Sequence, residues 1–329
     1  MAGGSLLKNE VYLALLPTIN TVIIMKRTLL ILGISIFLFS GCKQSTNTSA
    51  EQDENPFSFA FLTDIHLQPE KSAEVGFQWA INEVNKRNPD FVLTGGDLVM
   101  DALNQTYGRA DSLYNLYIKL SGKFKMPVYN TVGNHEVYGW HRDEKDIELH
   151  PEFGKKMFEQ RLGDRYYSFD HKGWHFIVLD AISRSEEGGY VGGIDEEQIL
   201  WLSKDLQKVD KASPIAISAH MPFITSATQI SRGSLAANNP GMVIPNSQEV
   251  LELFSEHNLR LVLQGHLHFL EDIYIQNQVH FITGGAVSGE WWANTPESKP
   301  EEGFVMIHVN GEELDWEYVD YGWTPPEEN

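Results

Sequence analysis

From residue 57 onward, short apolar runs alternate with longer amphipathic stretches. The apolar runs predict strands at Phe57–Thr63, Phe91–Thr94, Val128–Val132, Ile215–Ala219 and Leu259–Leu263. The amphipathic stretches predict helices at Ala73–Arg87, Arg109–Leu120, Glu152–Gln160, Glu196–Lys208 and Gln248–His257, the last of them capped by Ser247. Strands and helices that alternate in this way are typical of the α/β class.

Two regions depart from this alternation. Residues Tyr166–Asp180 predict a β-hairpin that turns at His171-Lys172-Gly173. The last third of the chain predicts strands at Val279–Thr283, Phe304–Val309 and Leu314–Val319. A sandwich of two sheets with helices outside accommodates both halves better than one open sheet does. The stretch Thr225–Pro245 has little periodicity, and it is a candidate substrate lid because loops of that length are often functional.

A signal-like segment lies near the start of the chain. Met25-Lys26-Arg27 is basic, an apolar run follows from Thr28 to Phe39, and Ser40-Gly41-Cys42 comes next. The apolar run is too short for a bilayer core of roughly 30 Å, which requires about 20 residues. The segment resembles a bacterial lipoprotein signal peptide, although Phe39 replaces the usual leucine at the third position before the cysteine. The alternative is an uncleaved anchor that joins Val11–Ile24 to the later run.

The lipoprotein interpretation divides the chain into four parts. Residues 1–24 are an upstream extension from a misassigned start codon, residues 25–41 are the signal peptide, and residues 57–329 are one catalytic domain. Residues 42–56 are a flexible tether, because KQSTNTSAEQDENP is too polar to form a core. Cys42 is then the lipidated N-terminus, and we expect an exported, membrane-anchored protein in the periplasm or at the outer membrane or cell surface.

Composition narrows the function classes. The formal net charge is -20, from 25 Lys+Arg against 45 Asp+Glu, which argues against a protein that binds long nucleic acid through a basic face. An anionic phosphate substrate would need local attraction, which bound divalent cations provide inside an acidic cleft. The chain has one cysteine, Cys42, so disulfides and thiolate zinc sites are excluded. Any metal must use His, Asp, Glu or Asn.

Five blocks of ligand-type residues follow predicted strands. They are Asp64-Ile65-His66, Gly95-Gly96-Asp97, Gly133-Asn134-His135-Glu136, His220, and Gly265-His266-Leu267-His268. In the first and last blocks, alternate spacing would place both side chains on the same side of an extended backbone. Each block alone is more often an ordinary turn or a structural histidine. Their order, with each block at the carboxyl end of a strand, predicts one metal site because open α/β sheets bind ligands there.

This ordered set resembles the calcineurin-like metallophosphoesterase family from Phe57 to about His268. The resemblance implies a β-sandwich of two mixed sheets flanked by helices, and hydrolysis of phosphate esters by two divalent or mixed-valence metal ions. It implies one metal on Asp64, His66, Asp97 and His268, and another on Asp97, Asn134, His220 and His266. His135 would protonate the leaving oxygen or stabilise the transition state. The oxygen and imidazole ligands suit Mn, Fe or Zn.

Substrate preference is less well specified by the sequence. Leu98, not tyrosine, follows Asp97, which disfavours the violet iron–tyrosinate centre of purple acid phosphatases. Trp291 and Trp292 would either stack on a base or sugar or pack in the core, and Arg232 would either bind a phosphate or remain solvated. We expect a small phosphomonoester or phosphodiester substrate. The alternatives are a nuclease or cyclic-nucleotide phosphodiesterase of the same fold, and a surface binding protein without activity.

Overall fold

A computed structural model describes residues 56–276, 278–293 and 302–324. The predictions for residues 1–55, including Cys42, lie outside this range. The strands are β1 Phe57–Leu62, β2 Phe91–Thr94, β3 Val128–Tyr129, β4 Tyr167–His171, β5 Trp174–Leu179, β6 Ile182–Arg184, β7 Tyr190–Gly192, β8 Pro214–Ala219, β9 Asn258–Gln264, β10 Glu271–Ile275, β11 Val279–Thr283, β12 Gly303–Asn310 and β13 Glu313–Asp320. The α-helices are α1 Ala73–Arg87, α2 Tyr107–Ser121, α3 Lys156–Leu162, α4 Glu196–Leu206, α5 Ala227–Arg232 and α6 Ser247–Glu252.

The strands form two large mixed sheets, as predicted. The first has the order β13-β12-β1-β2-β3, with β1, β2 and β3 parallel and β12 and β13 antiparallel. The second has the order β10-β11-β9-β8-β5-β4, with four parallel central strands and antiparallel edges. Strands β6 and β7 form a separate small hairpin. The carboxyl ends of β1, β2, β8 and β9 therefore lie at one end of the sandwich.

Burial on both faces of each sheet explains the continuous apolar runs. Phe59 and Phe61 of β1 point into an aromatic core between the sheets, where Phe59 stacks on Phe91 with ring centroids 4.8 Å apart. Ala60 and Leu62 point to the other face and pack with α1 and α2. Helices α4 and α6 cover the second sheet in the same way. Strands buried on both faces are apolar throughout, which is the pattern found in the sequence.

Side-chain hydrogen bonds account for several shifted boundaries. Strand β3 ends at Tyr129 and not at Val132, because the amide of Thr131 donates to Thr94 Oγ1 (3.0 Å) in place of a ladder bond. Helix α2 begins at Tyr107, two residues early, because the Thr106 side chain caps it. The predicted Ser247 cap is wrong by one position. Asn246 holds the cap position of α6 and uses its side chain to bind Ile194.

The sequence patterns missed other elements. Helix α3 begins at Lys156 and not at Glu152, because Gly154 pairs with Tyr138 through two backbone hydrogen bonds. The predicted loop Thr225–Pro245 contains the short helix α5. Strand β10 and the β6–β7 hairpin were not predicted, since their residues are partly exposed and lack a long apolar run. Within the described residues, no helix has the length and apolar character needed to cross a membrane.

Candidate metal centre

A first group of ligand-type side chains comes from the ends of β1 and β9. Asp64 Oδ1 lies 3.3 Å from His268 Nε2 and 3.8 Å from His66 Nε2. The two imidazole nitrogens lie 2.9 Å apart. His66 and His268 are 202 positions apart in the chain, so only the tertiary fold brings them together. The group can hold one metal ion.

A second group lies beside the first. His220 Nε2 is 3.1 Å from Asp97 Oδ2, 3.2 Å from Asn134 Oδ1 and 3.2 Å from His266 Nδ1. Asp97, His220 and His266 form a further set that can hold a metal ion. Imidazole, amide and carboxylate donors suit a transition-metal ion, and the residues that the structure describes include no cysteine that would favour a softer one.

Asp97 connects the two groups. Its Oδ2 lies 3.1 Å from His220 Nε2 and 3.7 Å from His66 Nε2. The structure thus brings together all seven residues that the sequence suggested as candidate ligands, with Asp97 between the two groups. A carboxylate in that position has oxygen lone pairs available to both groups.

The backbone that carries these ligands is not extended. Asp64, His66, Asp97, His266 and His268 all have positive φ, between 45° and 73°. The prediction of an extended backbone at Asp64–His66 and at His266–His268 is therefore wrong. The side chains of both blocks nevertheless converge. Left-handed conformations at non-glycine residues cost about 1–3 kcal/mol each and are concentrated at functional sites. Tertiary hydrogen bonds hold them here, among them Asp64 N to Gly96 O (3.0 Å).

Backbone carbonyl groups orient three of the histidine rings, those of His220, His266 and His268. His220 Nδ1 donates to Gly95 O (2.7 Å), and His268 Nδ1 donates to Gly289 O (3.2 Å), so Nε2 of each ring faces the cluster. His266 is reversed: its Nε2 donates to Gly241 O (2.9 Å), and Nδ1 faces the cluster. Such bonds fix the ring orientation and the tautomer of metal ligands. Because Gly241 lies in the Thr225–Pro245 loop, that loop positions the His266 ring.

Comparison with known proteins identifies the family. The sequence profile described as calcineurin-like phosphoesterase matches residues 57–270, which include both groups. This chain belongs to the calcineurin-like phosphoesterase family. It is accordingly a metal-dependent phosphoester hydrolase, and the predicted family and fold class are confirmed.

Individual relatives are distant. The chain is 21% identical over 254 residues to a probable cyclic nucleotide phosphodiesterase of Xenorhabdus bovienii, across 74% of this chain and 91% of that protein. It is 24% identical over 250 residues to the manganese-dependent ADP-ribose/CDP-alcohol diphosphatase of Mus musculus, across 55% of this chain and 71% of that protein. A dimetal phosphatase from Danio rerio has the same fold, with a TM-score of 0.62 at 15% identity, over 80% of this chain and 96% of that one.

In this phosphoesterase, His135 lies beside the clustered ligands. Its Nε2 is 3.9 Å from Asp97 Oδ2, and its Nδ1 donates to the backbone carbonyl of Met100. The amide of His135 also donates to Asp97 Oδ1 (2.9 Å). Its side chain is 20% exposed, whereas those of His66 and His220 are fully buried. Because Met100 engages Nδ1, Nε2 is the ring nitrogen of His135 on the side of Asp97.

Glu136 is a residue to which the sequence interpretation gave no role. Its fully buried carboxylate accepts from four backbone amides, those of Asp97 (2.9 Å), Leu98 (2.7 Å), Val99 (3.1 Å) and Gly133 (2.7 Å). Burial and the charge of Asp97 raise the pKa of this carboxyl group, and the hydrogen bonds from the backbone amides lower it. The contacts join the loop after β2 to the loop after β3. The only signal in the sequence was its place directly after His135.

Gly96 allows these two loops to approach each other closely. It has a φ of 87°, a conformation that side-chain-bearing residues rarely adopt. A Cβ at this position would lie 2.8 Å from His220 Nδ1 and 2.9 Å from Gly133 N. Glycine is therefore required both by the backbone conformation and by the space beside a ligand.

The electrostatics of the cluster favour cations. Burial raises the pKa of Asp64, but His268 outweighs it and holds that pKa well below its usual range. Burial lowers the pKa of His66 to about 3 and that of His266 to about 4, so both rings are neutral, as metal ligands must be. Burial also lowers the pKa of His220, yet Asp97 raises it to about 9. The carboxyl groups of Asp64 and Asp97 are buried and their pKa values lie below the ordinary range, so both favour a positively charged partner.

The cluster opens into a cavity of about 320 Å³. Its lining comprises Asp97, Asn134, His135, Tyr190, His266, Leu267, His268, Glu290 and Trp291. Trp291 lies in this lining, but Trp292 is 1% exposed and donates its indole N–H to Ile65 O (2.8 Å). Of the two alternatives for Trp292, substrate contact or packing in the core, the structure supports packing in the core. Arg232 is exposed at the end of α5 and does not line this cavity.

Proposed function

We propose that this phosphoesterase hydrolyses small phosphate esters at a centre of two divalent or mixed-valence metal ions, Mn, Fe or Zn. One ion would be held by Asp64, His66, His268 and Asp97, and the other by Asp97, Asn134, His220 and His266. The observation that carries the proposal is the position of Asp97, whose Oδ2 lies within 4 Å of a ligand nitrogen in each group. When bound, two such ions orient a phosphoryl group and make a water molecule acidic enough to attack it.

His135 is proposed as the proton donor to the leaving oxygen. Its Nδ1 proton is engaged by the Met100 carbonyl, so the nitrogen that faces the cavity is Nε2. A proton on Nε2 is then positioned for transfer to an ester oxygen between His135 and the ligands. General acids of this kind contribute about 10²- to 10⁴-fold to rate.

The remaining residues position these groups. Thr63 Oγ1 donates to Asp64 Oδ2 (2.7 Å), and the amide of His266 donates to the same oxygen (3.0 Å). Asp64 Oδ1 is then the oxygen nearest to His66 and His268. Fixed ligand geometry of this kind avoids reorganisation during the reaction.

Metal analysis of purified protein would test the centre. Wild-type protein reconstituted with Mn or Zn should bind two ions per chain. Asp64→Ala and Asn134→Ala should each retain one ion, because each change removes a ligand from one group only. Loss of both ions in the two variants, or a wild-type content of one, would contradict the division into two sites.

Turnover would test the reaction. We expect metal-dependent hydrolysis of bis-p-nitrophenyl phosphate, p-nitrophenyl phosphate or both, assayed with added Mn, Fe or Zn. The relative from Xenorhabdus bovienii, named as a probable cyclic nucleotide phosphodiesterase, favours the diester. A plasmid-nicking assay separates a nuclease, which the net charge of -20 disfavours. No turnover of any ester by fully metallated protein would instead support a surface binding protein.

The cellular location is a separate proposal. We propose that the chain is exported and lipid-anchored through Cys42, in the periplasm or at the outer membrane or cell surface, with residues 42–56 as a tether between the anchor and the catalytic domain. The support is the basic start, short apolar run and small residues before the cysteine. Cells fed a palmitate analogue should label the wild-type protein but not Cys42→Ser, and globomycin should block processing. Equal labelling of both proteins would contradict lipidation at this residue.

A further inference from the structure

Two aromatic side chains flank the cavity above the ligands. The Trp291 ring lies 3.9 Å from the His66 ring and 4.7 Å from the His268 ring, beside the first group. The Tyr190 ring lies 6.0 Å from the His266 ring, beside the second group. Both residues line the cavity. A phosphate ester bound between the two groups would therefore have the Trp291 ring on one side and the Tyr190 ring on the other.

Trp291 belongs to segment 288–292, which also makes hydrogen bonds to the backbone of residues 64–66. The amide and hydroxyl of Ser288 donate to Asp64 O (3.2 and 2.8 Å), and the Trp292 indole donates to the carbonyl oxygens of Ile65 and His66. Trp291 and Trp292 have φ of 55° and 62°, a strained conformation for bulky residues. These contacts hold that conformation, so the ring position is defined before a substrate arrives.

The charge of the cavity lining restricts the substrate further. Within the part of the chain that the structure describes, the lining has no lysine or arginine, and Glu290 adds a carboxylate that belongs to neither ligand group. Bound metal ions would be the local positive charges. A diester with one negative charge is compatible with such a cavity, whereas a polyphosphate would bring further anionic groups near Glu290 without a basic partner.

His135 indicates on which side the leaving group lies. Its ring centroid is 5.3 Å from that of Trp291. A leaving oxygen that takes a proton from His135 must be adjacent to it, and the group attached to that oxygen then lies beside the indole. Flat rings gain stacking energy on indole, and this interaction tolerates different ring identities.

From these observations we propose that the enzyme prefers phosphodiesters whose leaving alcohol carries a flat aromatic ring, such as an aryl group or a nucleoside, with Trp291 stacking on that ring and Tyr190 contacting the other ester group. This inference rests on the proposed function. It predicts weaker use of ring-free diesters and of nucleoside diphosphates.

Kinetics of one variant on two diesters would test the stacking. Trp291→Leu should lower kcat/KM about tenfold for bis-p-nitrophenyl phosphate and less than about twofold for glycerophosphoethanolamine. Each rate is compared with that of wild type on the same substrate, so the different reactivities of the leaving groups cancel. Trp291→Phe should recover most of the loss, because a flat ring is restored.

A matched control uses a tryptophan elsewhere. Trp79 on α1 is 48% exposed and does not line the cavity, so Trp79→Leu should leave both rates unchanged. Metal content should be the same in all variants. This check is needed because Trp291 lies on the His66 ring and its loss could disturb a ligand.

A binding measurement gives a readout that is independent of turnover. In saturation-transfer NMR with adenosine 5′-monophosphate and zinc-loaded protein, the base protons should receive more saturation than the ribose protons. Trp291→Leu should remove that difference, and Trp79→Leu should not.

Several outcomes would overturn the inference. Equal losses on both diesters would assign Trp291 to ligand support alone, and a preference of wild type for ADP over every diester would contradict the charge argument. Undiminished base saturation in Trp291→Leu would contradict stacking. Absence of turnover on every ester by metallated wild-type protein would instead contradict the proposed function.

Discussion

The two ends of the sandwich both carry histidines and carboxylates, but they use them differently. The larger cavity, about 780 Å³, lies at the amino ends of β1 and β9, where its lining includes Asp90, Arg260, Tyr274, His280 and His308. The cavity above the metal ligands has less than half that volume, about 320 Å³. Cavity size alone would therefore direct attention to the wrong end.

The two ends differ in how their acidic and basic side chains contact one another. At the larger cavity, His280 binds Asp272 (2.9 Å) and stacks on Tyr274, while Arg260 binds Glu312 (3.0 Å). Each of these two side chains has an acidic partner close by. At the smaller cavity, buried carboxylates and several imidazole nitrogens converge on shared points. Converging buried donors, held by strained backbone, indicate a site, whereas locally paired groups indicate ordinary surface structure.

The largest expected effect is at the residue that joins the two groups. Asp97→Ala should remove both metal ions and reduce kcat/KM by far more than the roughly 100-fold that loss of a ligand's hydrogen-bond partner costs. Elemental analysis and turnover with saturating Mn or Zn measure this. Full metal occupancy in the variant would contradict the bridging position of Asp97 and weaken the contrast between the two ends.

A change at His135 tests the proposed proton transfer without removing a proposed metal ligand. His135→Ala should keep both ions and lose about 10²- to 10⁴-fold in kcat, because the proton donor is removed while the proposed ligand sets stay complete. The deficit should shrink for esters with good leaving groups, which need less protonation. A rate near that of wild type on a poor leaving group would show that His135 is not the proton donor.

Glu136 tests whether the site depends on its supporting hydrogen bonds. Each carboxyl oxygen of Glu136 accepts hydrogen bonds from two backbone amides. Glu136→Gln replaces one of these oxygens with an amide NH₂ group, which cannot accept them, so the free energy of unfolding should fall by about 2–4 kcal/mol. Metal affinity should fall about 10- to 100-fold. Denaturant unfolding and metal titration measure the two effects. Glu83→Gln, in a surface ion pair on α1, is the control and should cost less than about 1 kcal/mol.

The smallest effect is expected at the opposite end. His280→Ala removes a partly exposed pair with Asp272 and should change stability by less than about 1 kcal/mol and leave kcat/KM within about twofold of wild type. Turnover and thermal unfolding measure this. A tenfold loss of activity would mean that the larger cavity contributes to function, and the comparison between the two ends would fail.

The sequence predicted the fold class because burial on both sheet faces leaves a direct record in the chain. Runs such as Phe57–Leu62 and Phe91–Thr94 were recognisable without any tertiary information. Elements that form only by contact with residues distant in the chain could not be recognised from the sequence. Strand β10 is exposed along much of its length and exists because it pairs with β11. The short β3 ends where a threonine side chain from β2 takes over its hydrogen bonding.

For the site, the chain by itself determined which residue types follow which strands, and hence the ligand candidates Asp64, His66, Asp97, Asn134, His220, His266 and His268. Tertiary structure decided how they are presented. Backbone carbonyls distant in the chain determine which ring nitrogen of His266 and of His220 faces the cluster. The Glu136 side chain connects the loop after β2 to the loop after β3. Of two adjacent tryptophans, it placed Trp291 in the cavity and buried Trp292. Local sequence records burial and residue chemistry, but ring orientation and left-handed backbone depend on partners that only the folded chain brings near.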